Sequence, residues 1–234
     1  MNDKNSYLAI IPARGGSKRL PGKNLLSIAG KPLIGWTIEA ARRSGVFDRI
    51  MVSTDDNDIA RISEKFGAEV PCLRPPELSG DSATTSDVIE YCLKQMNVPD
   101  KEYYSHLACL QPTSPLRSAD DIRSAVDLLE GKNADAIISV CKNEHSPLWS
   151  NTLPDDLSMK DFLQKNIQKT PSQDLPDYYR LNGAIYLCEV RRFLEEKSLY
   201  LSSNIFAYVM SRKNSIDIDD EIDFELASIY LSRS

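Results

Sequence analysis

Short apolar runs alternate along this chain with stretches of helical spacing, and that alternation limits the possible folds more than any other feature. β-like runs stand at 7–13, 49–53, 106–111 and 136–141. Between them, 33–44 places Leu33, Ile34, Ile38 and Ala41 on one helical face, entered by Pro32 and stopped by Gly45. Residues 55–66 read as a helix capped by Asp55 and stopped by Gly67, and 119–129 as another. Strands alternating with helices imply βαβ units. The expected fold class is therefore α/β, a Rossmann-like and mostly parallel sheet, in one domain over 1–234. From about Lys142 the pattern breaks. Residues 142–179 hold Pro147, Pro154, Pro171 and Pro176 with one short expected helix at 159–165, which reads as a functional insertion or an assembly arm. Regular patterning returns as strands at 181–187 and 205–210 and a closing helix at 220–231.

Charge and composition exclude several classes. A net charge of −6 disfavours nucleic-acid binding as the main task, without excluding a small anionic substrate. The apolar runs are too short to cross a bilayer, and the polar start carries no secretory h-region, so a cytoplasmic protein without membrane partners is expected. Cysteines 72, 92, 109, 141 and 188 form no CxxC pair, and with two histidines they make no zinc-type set. Small buried thiols in a reducing compartment are the expected reading. His106 and His145 are both expected to be structural or interfacial rather than general bases.

The segment Ile11-Pro-Ala-Arg-Gly-Gly-Ser-Lys-Arg-Leu-Pro-Gly-Lys-Asn24 carries the strongest chemical signal. Between Arg14 and Lys23 it holds four basic residues, three glycines and no acid, directly after the first strand. Glycines allow close approach of backbone to an oxyanion, and the cations neutralise phosphate charge. At a strand's C-terminal end this reads as a polyphosphate cradle. It is neither a Walker loop nor a GxGxxG turn, which excludes most P-loop ATPases and NAD enzymes. In Ile216-Asp-Ile-Asp219 a strand period of two puts Asp217 and Asp219 on one face, suited to a hard cation such as Mg²⁺; the alternative is an acid-rich helix start. Gln111, Thr113 and Ser114 stand at a strand end, as ligand contacts or as turn and cap residues. The segment around Thr84 and Thr85 could equally be a helix start.

The loop resembles the signature of sugar nucleotidyltransferases, specifically the cytidylyltransferases that activate nine-carbon 2-keto acid sugars: the CMP-sialic acid synthetase family, with its CMP-legionaminic acid synthetases. Further matching stretches are Val52-Ser-Thr-Asp55, Leu73-Arg-Pro-Pro-Glu-Leu78, Gln111-Pro-Thr-Ser-Pro-Leu-Arg117, Arg180-Leu-Asn-Gly-Ala-Ile-Tyr186 and Ser215-Ile-Asp-Ile-Asp219, in the family's order and over essentially the whole length. The resemblance implies a nucleotide-diphospho-sugar transferase fold, with CTP and a nine-carbon 2-keto acid sugar as substrates. It implies that Arg14, Lys18 and Lys23 act in catalysis, and that Ala13, Gly15, Gly16, Ser17, Asn24, Ser53, Arg74 and Thr85 complete the nucleotide site. Gln111, Thr113, Arg180 and Asn182 would face the sugar, and Asp217 and Asp219 would hold Mg²⁺ or Mn²⁺. The 142–179 arm would mediate a homodimer and reach toward the partner's active site.

Two departures bear on the sugar. Trp149 and Ser172 stand where many sialic acid members have basic residues, which points toward a 5,7-di-N-acyl sugar such as legionaminic acid. The rivals are cytidylyltransferases for pseudaminic acid or for the eight-carbon sugar KDO; the latter family has proline where Asn24 stands and lacks the 111–117 motif. A non-catalytic nucleotide-binding module is the alternative from another class, and Asp217 with Asp219 argues against it.

Overall fold

The computed structural model describes residues 5–95, 104–164 and 167–233. The burial of its first strand, β1 (Tyr7–Pro12), shows why 7–12 is an unbroken apolar run. Leu8 and Ile10 pack on one side with Leu107 and Phe193, whereas Tyr7, Ala9 and Ile11 pack on the other with Ile34, Ile38 and Ile122. A strand covered on both faces has no polar side to display.

A small hairpin of β2 (Ser27–Ile28) and β3 (Lys31–Pro32) leads into α1 (Leu33–Ser44), which ends at Gly45 with φ 66° as its sequence implies. Then follow β4 (Arg49–Ser53), α2 (Asn57–Lys65), α3 (Thr85–Gln95), β5 (His106–Cys109), α4 (Ala119–Lys132) and β6 (Ala136–Lys142). After the arm come β7 (Tyr179–Glu189), α5 (Val190–Glu196), β8 (Ile205–Met210) and α6 (Glu221–Leu231). The α2 cap is Asp56, whose carboxylate accepts from the Asp58 and Ile59 N–H groups; Asp55, the expected cap, is turned toward the loop after β1. α5 was not expected as a helix, and α3 realises the helix start that was one of the two readings of the segment around Thr84 and Thr85.

The six-stranded sheet runs in the order β4-β1-β5-β7-β6-β8. β1 pairs in parallel with β4 and β5, and β6 with β8, while β7 lies antiparallel between β5 and β6. The parallel strands thus end at one edge of the sheet, and β7 enters from that same edge. Its register with β6 breaks between Ile138 and Val140, where β7 contains Gly183 at φ 72°. A third apolar cluster, joining Leu20, Ile28, Leu116 and Ile218, ties the loop after β1 to the segment before α6.

Among its described residues the arm over 142–179 forms no helix longer than the one-turn segments Pro147–Trp149 and Ser172–Asp174. The helix expected at 159–165 does not form over its described part, because Asp161 takes a left-handed φ of 62°; Lys165 lies outside the described residues. No helix among the described residues is long and apolar enough to cross a membrane. The cysteines are free, and burial pushes the Cys92 thiol up to about 11 and Cys109 to about 12, so both are held as inert thiols.

His106 is buried at the start of β5, stacked on Tyr7 with ring centroids 5.1 Å apart, its Nδ1 2.9 Å from Ser105 Oγ. Burial lowers its pKa, opposed by Glu189, Glu130 and Asp135. The unfolded chain therefore takes up a proton at a higher pH than the fold does, and stability falls as pH drops through roughly 6.5. Urea unfolding of wild type and His106→Gln at pH 7.5 and 5.5 should show a smaller pH loss in the variant; an equal loss would assign the acid sensitivity elsewhere.

Candidate functional site

A cavity of about 510 Å³ opens where the parallel strands end. Its floor is the loop after β1. Ala13 continues the sheet, its N–H donating to the Ser53 carbonyl at 2.9 Å, so neither its amide nor its buried side chain faces the cavity. The Gly15 N–H donates to Asp55 Oδ1 at 2.9 Å. A Cβ on Gly15 would lie 2.9 Å from Asp56 Oδ2, whereas one on Gly16 would meet nothing within 4 Å. Packing against α2's cap thus favours glycine at 15. Gly22, at φ 65°, turns the chain into the short helix Lys23–Leu25.

The cations of the loop all meet carboxylates. Arg14 lies 3.0 Å from Asp81, and Lys18 pairs with the same group. These hydrogen bonds hold the Asp81 carboxyl below its ordinary range. Arg19 lies 2.8 Å and Lys23 3.7 Å from Asp219, and the Lys23 ammonium donates to the Ile218 carbonyl at 2.9 Å. Burial lowers the Lys23 pKa, and Asp219 and Asp217 oppose that shift. Asn24 is buried; its Nδ2 donates to the Arg14 carbonyl at 3.0 Å, while its Oδ1 has no partner. Arg74 is buried 3.9 Å from Asp55 with Nε unbonded, and burial lowers its pKa. Unbonded buried donors and acceptors are rare in proteins, and these two residues both line the cavity.

Arg14, Ser17, Lys18, Lys23, Asn24, Arg74, Thr85, Gln111, Thr113 and Asp219 all border this one cavity. Ser53 does not: its side chain is buried against Cys92. Thr84 is the cap of α3, exchanging hydrogen bonds with Asp87, and this puts Thr85 at the helix's first turn facing the cavity. Beside it a smaller cavity of about 300 Å³ shares Thr84, Thr85 and Gln111 and is walled by Tyr186, Leu199 and Tyr200. A third cavity of about 820 Å³ contains Arg180, Asp217 and His145, with Asp219 as the wall it shares with the first.

The extended 216–219 segment is not a paired strand, yet its alternation holds: Ile218 is fully buried, and Asp217 and Asp219 both border the third cavity. The α6 cap is formed by Asp220 with Asp223, which leaves Asp217 and Asp219 outside the cap. Burial raises the Asp217 pKa, a Thr113 hydrogen bond opposes this, and its Oδ1 has no partner. Among the described residues no three histidine, cysteine or acidic side chains cluster as a metal site. Asn182 is a correction. It is buried, donating to Ser215 Oγ at 2.9 Å and accepting from Ser139 at 2.6 Å, so its amide fastens β7 to its neighbours and does not share the face of Arg180.

Sequence reasoning missed Arg19, Asp55, Asp81, Tyr186 and Tyr200. The Thr84-x-x-Asp87 capping pattern could have revealed α3. Of the acids that meet the basic loop, Asp219 was legible in the Ile216-Asp-Ile-Asp219 pattern, whereas the pairing of Asp55 and Asp81 with the loop had no local signal.

The family model described as cytidylyltransferase matches residues 8–222. The chain is 39% identical to CMP-N,N'-diacetyllegionaminic acid synthase of Legionella pneumophila, covering 94% of this chain and 93% of that protein. It is 36% identical to the N-acylneuraminate cytidylyltransferase of Escherichia coli O18:K1:H7, covering 96% of this chain but 52% of that protein. The structure of CMP:2-keto-3-deoxy-manno-octonic acid synthetase complexed with CTP matches with a TM-score of 0.71 at 18% identity, over 98% of this chain and 99% of that one, which supports the fold.

Since Asp81 occupies two of the loop's cations, Asp81→Asn should tighten tripolyphosphate binding severalfold at low salt, and Lys23→Ala should weaken it, both with unchanged circular dichroism. Calorimetric titration decides this. Equal or weaker binding by Asp81→Asn would show that Asp81 does not compete for the cradle.

Proposed function

Because this chain belongs to the cytidylyltransferase family, as a nucleotidyltransferase of the N-acylneuraminate type, we propose that it joins CMP from CTP to a 5,7-di-N-acyl nine-carbon 2-keto acid of the legionaminic kind, releasing pyrophosphate. The observation that carries this reading is the single cavity in which the basic loop, Gln111, Thr113 and Asp219 meet, with an aromatic-walled annex beside it.

Arg14, Ser17, Lys18 and Lys23 hold the triphosphate, Asn24 orients it, and Arg74 and Thr85 border the nucleotide. The sugar's anomeric hydroxyl attacks the α-phosphorus while the bond to pyrophosphate breaks in line. No protein nucleophile is needed, so catalysis rests on positioning and on cations placed where charge develops. The residues fit a divalent cation: Asp217 Oδ1 is buried without a partner, and carboxylate oxygens suit a hard ion that also takes phosphate oxygens. Asp217 and Asp219 would hold Mg²⁺ or Mn²⁺, whose charge would neutralise the phosphates.

For the sugar, Tyr186, Leu199 and Tyr200 offer an apolar wall suited to an N-acyl methyl group, and the Legionella relative supports the choice. Trp149 lines none of these cavities, so an effect of Trp149 on the sugar would come through a second copy of the chain, whereas His145 at the arm's root borders the third cavity with Arg180. The arm exposes Leu153, Leu157 and Met159, which suits burial in a homodimer. Dependence on CTP suits a cytoplasmic enzyme.

At saturating CTP, kcat/KM for N,N'-diacetyllegionaminic acid should exceed that for N-acetylneuraminic acid by about tenfold or more. Equal or better turnover of N-acetylneuraminic acid would establish the plain sialate activity instead. Excess chelator should abolish activity, and Asp217→Asn and Asp219→Asn should each raise the Mg²⁺ requirement; wild-type metal dependence in both variants would remove these carboxylates from the metal site.

A further inference from the structure

Arg117 is the largest fully buried side chain of the protein as described, and the proposed mechanism gives it no task. Its Nη1 donates to two backbone carbonyls, those of Gln111 at 3.1 Å and Ala184 at 2.8 Å, while Nε and Nη2 have no partner among the described residues; the charge of Asp121 acts on it, but no carboxylate among the described residues bonds to it. Ser114 Oγ, in the same turn, is also buried without a partner. A methionine or leucine would fill much of this volume without orphaned donors or a desolvated charge, so packing alone does not explain a guanidinium here.

The two carbonyls identify the use. Gln111 follows β5 and borders both the main cavity and the aromatic annex. Ala184 follows Gly183, where a Cβ would lie 2.7 Å from Gln111 Oε1 and 3.6 Å from Asp217 Oδ2. Two residues further along β7 stands Tyr186, a wall of the annex. One rigid, planar donor group therefore fixes the end of β5 against the irregular stretch of β7, where both carry groups of the proposed acceptor side. The phosphate loop is braced elsewhere, on Asp55, Asp81 and Asp219.

We propose that Arg117 is a positioning residue for the acceptor sugar: it clamps the backbone of Gln111 to that of Ala184 and so sets the Gln111 amide and the Gly183 bend at the sugar's side of the site. The proposal rests on the cytidylyltransferase reading above. It predicts that damage at Arg117 is felt by one substrate and not the other.

The test is steady-state pyrophosphate release with CTP and N,N'-diacetyllegionaminic acid by wild type, Arg117→Lys and Arg117→Met, with folding checked by circular dichroism. Arg117→Lys keeps the buried charge, but its ammonium ends one atom short of the position from which Nη1 reaches both carbonyls. In both variants KM for the sugar should rise at least about tenfold while KM for CTP stays within about twofold. A folded variant in which both constants move together, or neither moves, overturns the proposal, as does wild-type sugar KM in Arg117→Lys. Should Arg117→Met not fold, Arg117→Lys decides alone; failure of both to fold overturns the proposal in favour of a purely structural role. An inactive wild type would instead refute the functional reading, and this proposal with it.

Discussion

Lys23 joins two segments 195 residues apart, and the geometry of the site depends on that junction. Its ammonium donates to the Ile218 carbonyl and faces Asp219, while Leu20 and Ile218 share one apolar cluster beneath. The packing places the contact and the ion pair orients it. Without the Leu20–Ile218 packing, the basic loop after β1 would be a solvated turn, and the two acids before α6 an ordinary acid-rich helix approach. The loop's cations and the carboxylates of 217–219 become one site because a buried side chain from each segment fills the same volume.

The second constraint is the direction of β7. By running against its neighbours it brings its first residues to the edge where the parallel strands end, so Arg180, Gly183 and Tyr186 reach the edge at which the basic loop also sits. Gly183 is at φ 72°, and any side chain there would strike Gln111. A residue with a Cβ would meet both backbone strain and collision, and the close approach of β7 to the residue after β5 depends on glycine.

Most of the parallel framework was legible because strands buried on both faces must be apolar throughout and their helices carry strong end signals, as at Gly45 and Gly67. The direction of β7 was not, since an apolar run reads the same either way along the chain. The choice between Asp55 and Asp56 as the α2 cap was not legible either. It is decided by the Gly15 N–H, which lies 40 residues away in sequence and draws Asp55 toward the loop. Asn182 shows the same limit in reverse: the period of two fails where Gly183 bends the strand, and the amide turns to Ser139 and Ser215. Residue types therefore picked out many of the residues that border the cavity, while long-range partners determined which of their atoms face it.

On the proposed reading, the ion pairs of the basic loop also explain how an acidic protein keeps an anion site open. Arg14 and Lys18 share Asp81, and Arg19 and Lys23 share Asp219, with most of these side chains substantially exposed to solvent. Solvent-exposed pairs of that kind hold side chains in place but contribute little to stability, so they yield to a multiply charged ligand. Lys23 is the exception, being mostly buried and partly desolvated, so an oxyanion that reaches it meets a cation poorly screened by water. On the proposed reading, a triphosphate draws Arg14, Lys18 and Arg19 away from their acids at little cost and makes its strongest contact at Lys23. Asp219 then loses its pairing with Arg19 and stands beside Asp217, whose Oδ1 already lacks a partner. Filling the phosphate cradle and freeing the carboxylates are thus one exchange of partners, driven by the ligand's own charge.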